Sequence, residues 1–496
     1  MSDVCTTKVE SCNRDDQCRG PLQRPIYGTD SFSDTLKTIT SFFMNLHKTF
    51  LYISTVLLLS SCSILPKSIT EDTTIHTENT THVVSSTSPL LHISIGSSGS
   101  WEDTKITNDT FLPDQMDNNP ILINNLIENR IYLMNKTGEI LYEWPLDKKK
   151  LGTDATILPD GKLLVSFKST HPDNSKIFPG GVGGVIQLRW KNSEVFWESD
   201  MASDTYSQHH EAEMLPNGNI LMLIWNKIAK NESRTHGYKM DVAIYPETII
   251  EVNPTNNAIV WKWNSMDHII QDTDPRLPKY GMVAKHPERI DINYAQSQSG
   301  MVMHANGLVY DQKTNLIYVS LYGMSEVWII DHSTTTEEAK GSTGGKYKRW
   351  WDLVYRFGNP TTYRWFGKRI LYVAHHPSFT ESGTFLIYSN GVGAIPEQST
   401  VYELRIPNLL GIQIDKAPVP KILWSYTNPD IYFDKVGWVV RLPNGNTLIT
   451  EWDGTIWEIT PEKKIAWKYS IKPAMFWRTY VYPIDSSAIR ALDIKK

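Results

Sequence analysis

Five histidines of this chain stand a few residues ahead of short turn sequences. His209 and His210 do so in "YSQHHEAEMLPNGN", His304 in "MVMHANGLVYDQKTN", and His375 and His376 in "YVAHHPSFTESGTF". Imidazole has an unperturbed pKa of about 6.5, so near pH 7 it carries a free lone pair. That lone pair attacks an electrophile, takes a proton or binds a metal. Adjacent residues on a strand face opposite sides. One member of each His-His pair is therefore expected at a common site, unless a bulge intervenes. Asn306 lies two residues after His304 and is expected on the same face. Histidine-rich strand ends are a poor filling for a dry core, where unpaired polar groups are costly. Histidines held in one position relative to a repeated turn point instead to a site.

The elements that would position them recur along the chain. A turn between two β runs appears as "LPDGKLLVSF" at 158–167, "LPNGNILMLI" at 215–224 and "LPNGNTLITE" at 442–451. Looser copies are "YDQKTNLIYVSL" at 310–321 and "TESGTFLIYSNG" at 380–391. Asn-Gly and Asp-Gly between alternating apolar residues mark hairpins, because glycine supplies the positive φ of a tight turn. A second unit is an apolar strand ending in an aromatic: at Trp144, near Trp197, and at Trp263, Phe357, Tyr426 and Tyr469. Six such units predict an all-β, six-bladed β-propeller over residues 100–496, with long insertions at 226–300 and 332–350. A pair of packed sheets is the competing architecture. In a propeller, the strand ahead of each turn is the innermost, and three blades would aim imidazole at one channel.

Composition narrows the function classes. A net charge of −5 without a basic stripe gives no case for nucleic acid. All four cysteines, Cys5, Cys12, Cys18 and Cys62, precede the repeats, so no disulfide is expected within the propeller. Their spacing fits no usual zinc pattern. The stretch "MNLHKTFLYISTVLLLSSC", residues 44–62, has a short start with Lys48, an apolar run too short to span a bilayer, then small residues. It reads as a signal peptide, and its ending at Cys62 resembles the bacterial lipobox, in which the cysteine is lipidated. Residues 1–43 are then expected to be an upstream extension, with Met44 the true start. Residues 63–99, rich in Ser and Thr, read as a flexible tether. Ser63 follows the cysteine where Asp would favour inner-membrane retention. The expected location is the bacterial cell envelope, lipid-anchored at the periplasmic face of the outer membrane.

Several segments, in their shared order, resemble the bacterial aryl-sulfate sulfotransferase family. They are "HHEAEMLPNGNILML", "WNSMDHIIQDTDP" with "KHPERIDINYA", "VWIIDHSTTTEEAKGSTGG", and "DLVYRFGNP" followed by "HHPSFTESGTFLIYSNG". The resemblance implies a six-bladed propeller enzyme that moves a sulfuryl group from a phenolic sulfate ester to a phenol. A histidine is transiently sulfated, and no nucleotide sulfate donor or cofactor takes part. By motif, the nucleophile falls on His376 and the family's His-x-Asn on His304 and Asn306. The histidine ahead of the LPNGN turn falls on His209 or His210. Tyr322 stands where the family carries an arginine, and Pro377 where an acidic residue is common. Arg356 is the candidate to replace the missing cation.

The residues fit such chemistry in their own right. His376 attacks the aryl sulfate, giving an N-sulfated histidine and a phenol, and a second phenol takes the group. His209 or His210 manages the proton. His304, Asn306 and the Tyr322 hydroxyl donate to sulfuryl oxygens. Two other classes fit the pattern. One is a non-catalytic, lipid-anchored propeller that binds a ligand or a partner protein at the channel mouth. The other is a channel in which three imidazoles hold a metal, although no metal-type His spacing is present.

Overall fold

The computed structural model describes residues 104–171, 178, 180–341, 344–347 and 352–494. The expected extension 1–43, signal peptide 44–62 with Cys62, and tether 63–99 lie outside the described residues. The compact unit Ser97–Lys496 is almost wholly strand and turn. Among the described residues no helix is long and apolar enough to cross a membrane.

Six antiparallel sheets form the blades, each running from an innermost strand to an outermost one. In that order, blade 1 joins Phe476–Val481, Ile121–Asn125, Arg130–Met134 and Ile140–Trp144. Blade 2 joins Leu151–Ile157, Leu163–Lys168, Gly184–Arg189 and Val195–Asp200. Blade 3 joins Tyr206–Met214, Ile220–Asn226, Glu247–Asn253 and Ala258–Asn264. Blade 4 joins Ala305–Asp311, Leu316–Leu321, Glu326–Asp331 and Tyr355–Phe357. Blade 5 joins Ala374–Phe379, Phe385–Ser389, Thr400–Arg405 and Lys421–Tyr426. Blade 6 joins Trp438–Arg441, Thr447–Thr450, Thr455–Ile459 and Ile465–Lys472, with Lys105–Thr110 added at its outer edge. The innermost strands pack on one another in a closed cycle, blade 1 against 2, 2 against 3, and so on back to 1. The fold is the expected six-bladed propeller.

Side chains alternate across each strand, so a blade buried on both faces feeds two apolar layers. In Leu316–Leu321, for example, Ile317, Val319 and Leu321 join the layer shared with blade 3, while Leu316 and Tyr318 join the layer shared with blade 5. An apolar layer lies between each successive pair of blades, the last between blades 6 and 1. The six aromatic strands of the sequence are the fourth strands of the blades. The five turn copies join the first and second strands of blades 2 to 6. Blade 1 has no such turn, because its first strand comes from the far end of the chain.

The expected insertion at 226–300 is corrected: two regular strands of blade 3, Glu247–Asn253 and Ala258–Asn264, lie inside it. The segment 332–350 does fall between the third and fourth strands of blade 4.

Candidate active site

Five of the six innermost strands break register with their neighbours. In blade 3, His209 pairs with Leu223 and Ala212 with Met222, so His210 and Glu211 are extra. In blade 5, His375 pairs with Tyr388 and Ser378 with Leu386, which sets His376 and Pro377 opposite Ile387 alone. Pro377 suits this place, since it has no N–H to give to the ladder. The same kind of shift displaces Asn306 in blade 4, Arg478 in blade 1 and Asp154 in blade 2. His210, His304 and His376 have positive φ values of 49°, 55° and 46°. Such backbone costs a non-glycine residue about 1–2 kcal/mol and gathers where function holds it in place. Bulges re-aim side chains, and in this ring they turn one charged or imidazole group after another toward the same interior.

Arg478 is the centre of that interior. Its Nη1 donates to Asp154 Oδ2 at 2.8 Å and to Tyr480 Oη at 3.2 Å, and its Nη2 donates to Glu211 Oε2 at 2.7 Å. A further close bond joins Nη1 to Glu211 Oε1. The Nε edge faces His376, with Nε 3.3 Å from Nε2 and Nη2 in contact with Nδ1. Both Arg478 and His376 are fully buried. Burial opposes the arginine's charge, but the Asp154 and Glu211 carboxylates outweigh it. Burial lifts both carboxyls above their ordinary range, and Arg478 pulls against that lift. Burial first, and then the Arg478 charge, hold the His376 imidazole well below its ordinary pKa. The guanidinium also lies over the Trp438 ring, 5.1 Å from its centroid. The His376 ring lies 5.6 Å from Trp438 and 6.2 Å from Trp477. The indole N–H groups of Trp438 and Trp477 are buried and have no hydrogen-bond partner.

His375 faces the other way. Asn390 donates its amide N–H groups to Phe433 O at 2.9 Å and Val436 O at 2.6 Å, which fixes its Oδ1 toward His375 Nδ1 at 2.6 Å. Val436 N–H donates to His375 Nε2 at 3.1 Å. The proton is thus on Nδ1, and both nitrogens are spent on structure. Burial lowers this imidazole to about 4.

The other histidines form a row. His210 Nε2 lies 3.3 Å from His304 Nε2, and His210 Nδ1 lies 2.8 Å from His209 Nδ1. The His210 ring also stands 5.3 Å from Trp477, the residue that borders His376. Between the two members of the pair, it is His210 that lies toward His304 and His376, and His209 that lies behind. Burial, followed by the neighbouring imidazoles, keeps His210 well below its ordinary pKa and His304 at about 3. Gly181 covers His210: a Cβ there would stand 2.1 Å from His210 Cε1, and its φ of 94° also favours glycine. Tyr322 packs its ring 5.2 Å from His304 and 5.9 Å from His375, and its N–H donates to His304 O at 2.9 Å.

Two expectations are corrected. Asn306 donates to Ala374 O at 2.7 Å and accepts from Ser320 Oγ at 2.5 Å, so its amide braces blade 4 against the strand of His376. Arg356 is on the outermost strand of blade 4, paired with Glu326 and donating to Arg289 O at 2.7 Å and Thr362 Oγ1 at 3.0 Å. It does not enter the channel. The cation beside His376 is Arg478, with Asp154, Tyr480, Trp438 and Trp477 around it, none of which the sequence singled out. The segment "FWRTYV" has the alternation of an innermost strand, and counting five turn-marked strands for six blades is the signal that could have found it. Among the described residues no group of three or more His, Cys, Asp or Glu is arranged to hold a metal ion.

A family model for arylsulfotransferase (ASST) matches residues 154–472. The chain belongs to the arylsulfotransferase family. The matched span covers His209, His210, His304, Tyr322 and His376 and stops short of Arg478. No curated protein matches the sequence. Among solved structures, a Bacteroides caccae protein of unknown function is 15% identical over 73% of this chain and 98% of its own, with a TM-score of 0.42. The Pseudomonas aeruginosa periplasmic gluconolactonase PpgL is 11% identical over 72% of this chain and 84% of its own, at 0.40. BamB from Moraxella catarrhalis is 10% identical over 71% and 73%, at 0.32.

Proposed function

We propose that this chain is an aryl-sulfate sulfotransferase that works through transient sulfation of His376. The observation that supports it most is a buried, neutral imidazole on a strained bulge, edge to edge with a guanidinium. Neutral His376 has one lone pair, and in that geometry one Arg478 N–H group holds it. An entering sulfuryl group takes over the Arg478 N–H groups with its own oxygens and leaves the nitrogen free to attack. The N–S bond forms as the S–O bond to the aryl group breaks, and the phenolate leaves with the electron pair. The unpartnered N–H groups of Trp438 and Trp477 are further donors for sulfuryl oxygens. Unmet buried donors cost about 1–3 kcal/mol each, so a ligand that satisfies them is favoured. In the second half, an acceptor phenol attacks sulfur and the pair returns to His376. Arg478 then does in this chain what the family's arginine would do at the Tyr322 position.

The test is incubation with 4-nitrophenyl sulfate. Without acceptor, the peptide that carries His376 is expected to gain the mass of one sulfuryl group. With phenol present, nitrophenol release is expected to continue. Turnover that survives His376→Ala would overturn the proposal. We propose further that Cys62 is lipidated and holds the propeller at the cell-envelope surface. Intact mass of the native protein decides this, and a mature chain that retains residues 1–45 would refute it.

A further inference from the structure

Blade 3 holds a row of groups behind the channel that sulfur–nitrogen bond making does not use. Glu247 starts the third strand of the blade, and its carboxylate is buried. Its Oε1 accepts from Trp225 Nε1 at 2.9 Å and from the Ala305 N–H at 2.8 Å. Its Oε2 is 2.9 Å from His209 Nε2. The His209 ring stacks on Trp225, with centroids 3.9 Å apart and planes 8° from parallel, so it has one orientation.

The protons follow from these contacts. A carboxylate only accepts, so the hydrogen between it and His209 belongs to His209 Nε2. Neutral His209 then has its lone pair on Nδ1, which faces His210 Nδ1 at 2.8 Å. The hydrogen of that contact must come from His210. His210 is thereby left with its lone pair on Nε2, the atom that faces His304. We infer that Glu247 and His209 form a buried relay that fixes the proton of His210 on Nδ1 and makes its Nε2 the base of the channel. This rests on the sulfuryl-transfer reading above, and it adds two positioning residues to it.

The step balances without another reactant. As the acceptor phenol attacks sulfur, its O–H proton passes to His210 Nε2 while the S–N bond to His376 breaks. The imidazolium donates its Nδ1–H to His209, whose own Nε2–H stays donated to the Glu247 carboxylate, so the positive charge faces a carboxylate through one ring. In the donor half His210 Nε2 holds no proton, so the phenolate leaves as the anion and is protonated by solvent, and the proton taken up in the acceptor half returns to solvent.

Glu247→Gln is nearly isosteric and reverses the row. The amide oxygen must still accept from Trp225 and Ala305, so the amide N–H meets His209 Nε2. His209 then carries its proton on Nδ1, and His210 is forced to accept at Nδ1 and carry its proton on Nε2. In imidazole-nitrogen NMR of the wild type, His210 is expected as the Nδ1–H form, and in Glu247→Gln as the Nε2–H form. A wild-type His210 in the Nε2–H form overturns the relay whatever the protein catalyses. In kinetics, kcat/KM for an un-ionised acceptor phenol, which needs the base, is expected to fall roughly 10²-fold in Glu247→Gln. With an acceptor phenol already ionised at the assay pH, which needs none, it is expected to be nearly unchanged. An equal loss with both acceptors means a merely structural role and refutes the inference. A wild type inert toward every aryl sulfate would sink the sulfuryl-transfer reading alone, and the NMR result would still decide the relay.

Discussion

Arg478 is held by Asp154, Glu211 and Tyr480 on one side and meets His376 on the other. Arg478→Met leaves two buried carboxyls without their partner and is expected to cost about 3–5 kcal/mol of stability, read from urea unfolding. Arg478→Lys keeps the charge but loses the planar fork that spans carboxylates and imidazole together. It is expected to fold, with kcat/KM for 4-nitrophenyl sulfate lower by roughly 10²-fold, about the worth of one preorganised donor. The pH profile follows from the same contact. In the proposed mechanism only neutral His376 attacks, and its pKa is depressed by burial and then by Arg478. Protonation therefore begins well below the ordinary histidine range, and kcat/KM for that donor is expected to stay flat as pH falls past 6.5. A half-maximal rate at the ordinary histidine value would show that another group limits the reaction. Gly181→Ala is expected to lower both the melting temperature and turnover, because the positive φ disfavours any side chain and the new Cβ meets the buried His210 ring.

At the scale of elements, the bulges decide which residues meet. A one-residue change of register sends every following side chain to the opposite face. Deletion of Pro377 removes the unpaired length between His375 and Ser378. It is expected to abolish turnover while the far-ultraviolet β signature persists. The sequence shows the blades well: five turns and six aromatic strands fall where repetition places them. It shows His304, His376 and the 209–210 pair because each stands at a fixed distance from a turn. It does not show which member of a pair faces inward, since alternation fails at a bulge and a bulge depends on a partner strand. It also hides Arg478. The strand Phe476–Val481 pairs with Ile121–Asn125, far away in sequence, so no turn marks it. The bracing role of Asn306 is hidden for a related reason: its partner Ala374 belongs to the next blade.

At the scale of the molecule, the ring is closed by hydrogen bonds between the two ends of the folded chain. Ile121 pairs with Val481 and Ile123 with Thr479, and on blade 6 Lys105 pairs with Lys472. Deletion of Phe476–Lys496 is expected to replace a single cooperative melt with a broad one and to remove turnover. The unpaired edge of Ile121–Asn125 is then a template for an added strand. A peptide with the sequence of residues 476–496 is expected to restore part of the activity when supplied separately. Restoration by a version that carries Met at position 478 would show that the strand matters only as a closure.

That closing strand has a consequence for the order of events at birth. A chain emerging from the ribosome exposes its histidines long before residue 478 exists, and its earlier blades begin to fold meanwhile. During that interval His376 lacks the guanidinium that would receive a sulfate. In the proposed mechanism the last blade to be completed is thus an interlock: His376 is armed only when the circle is whole, and an unfinished molecule stays chemically silent.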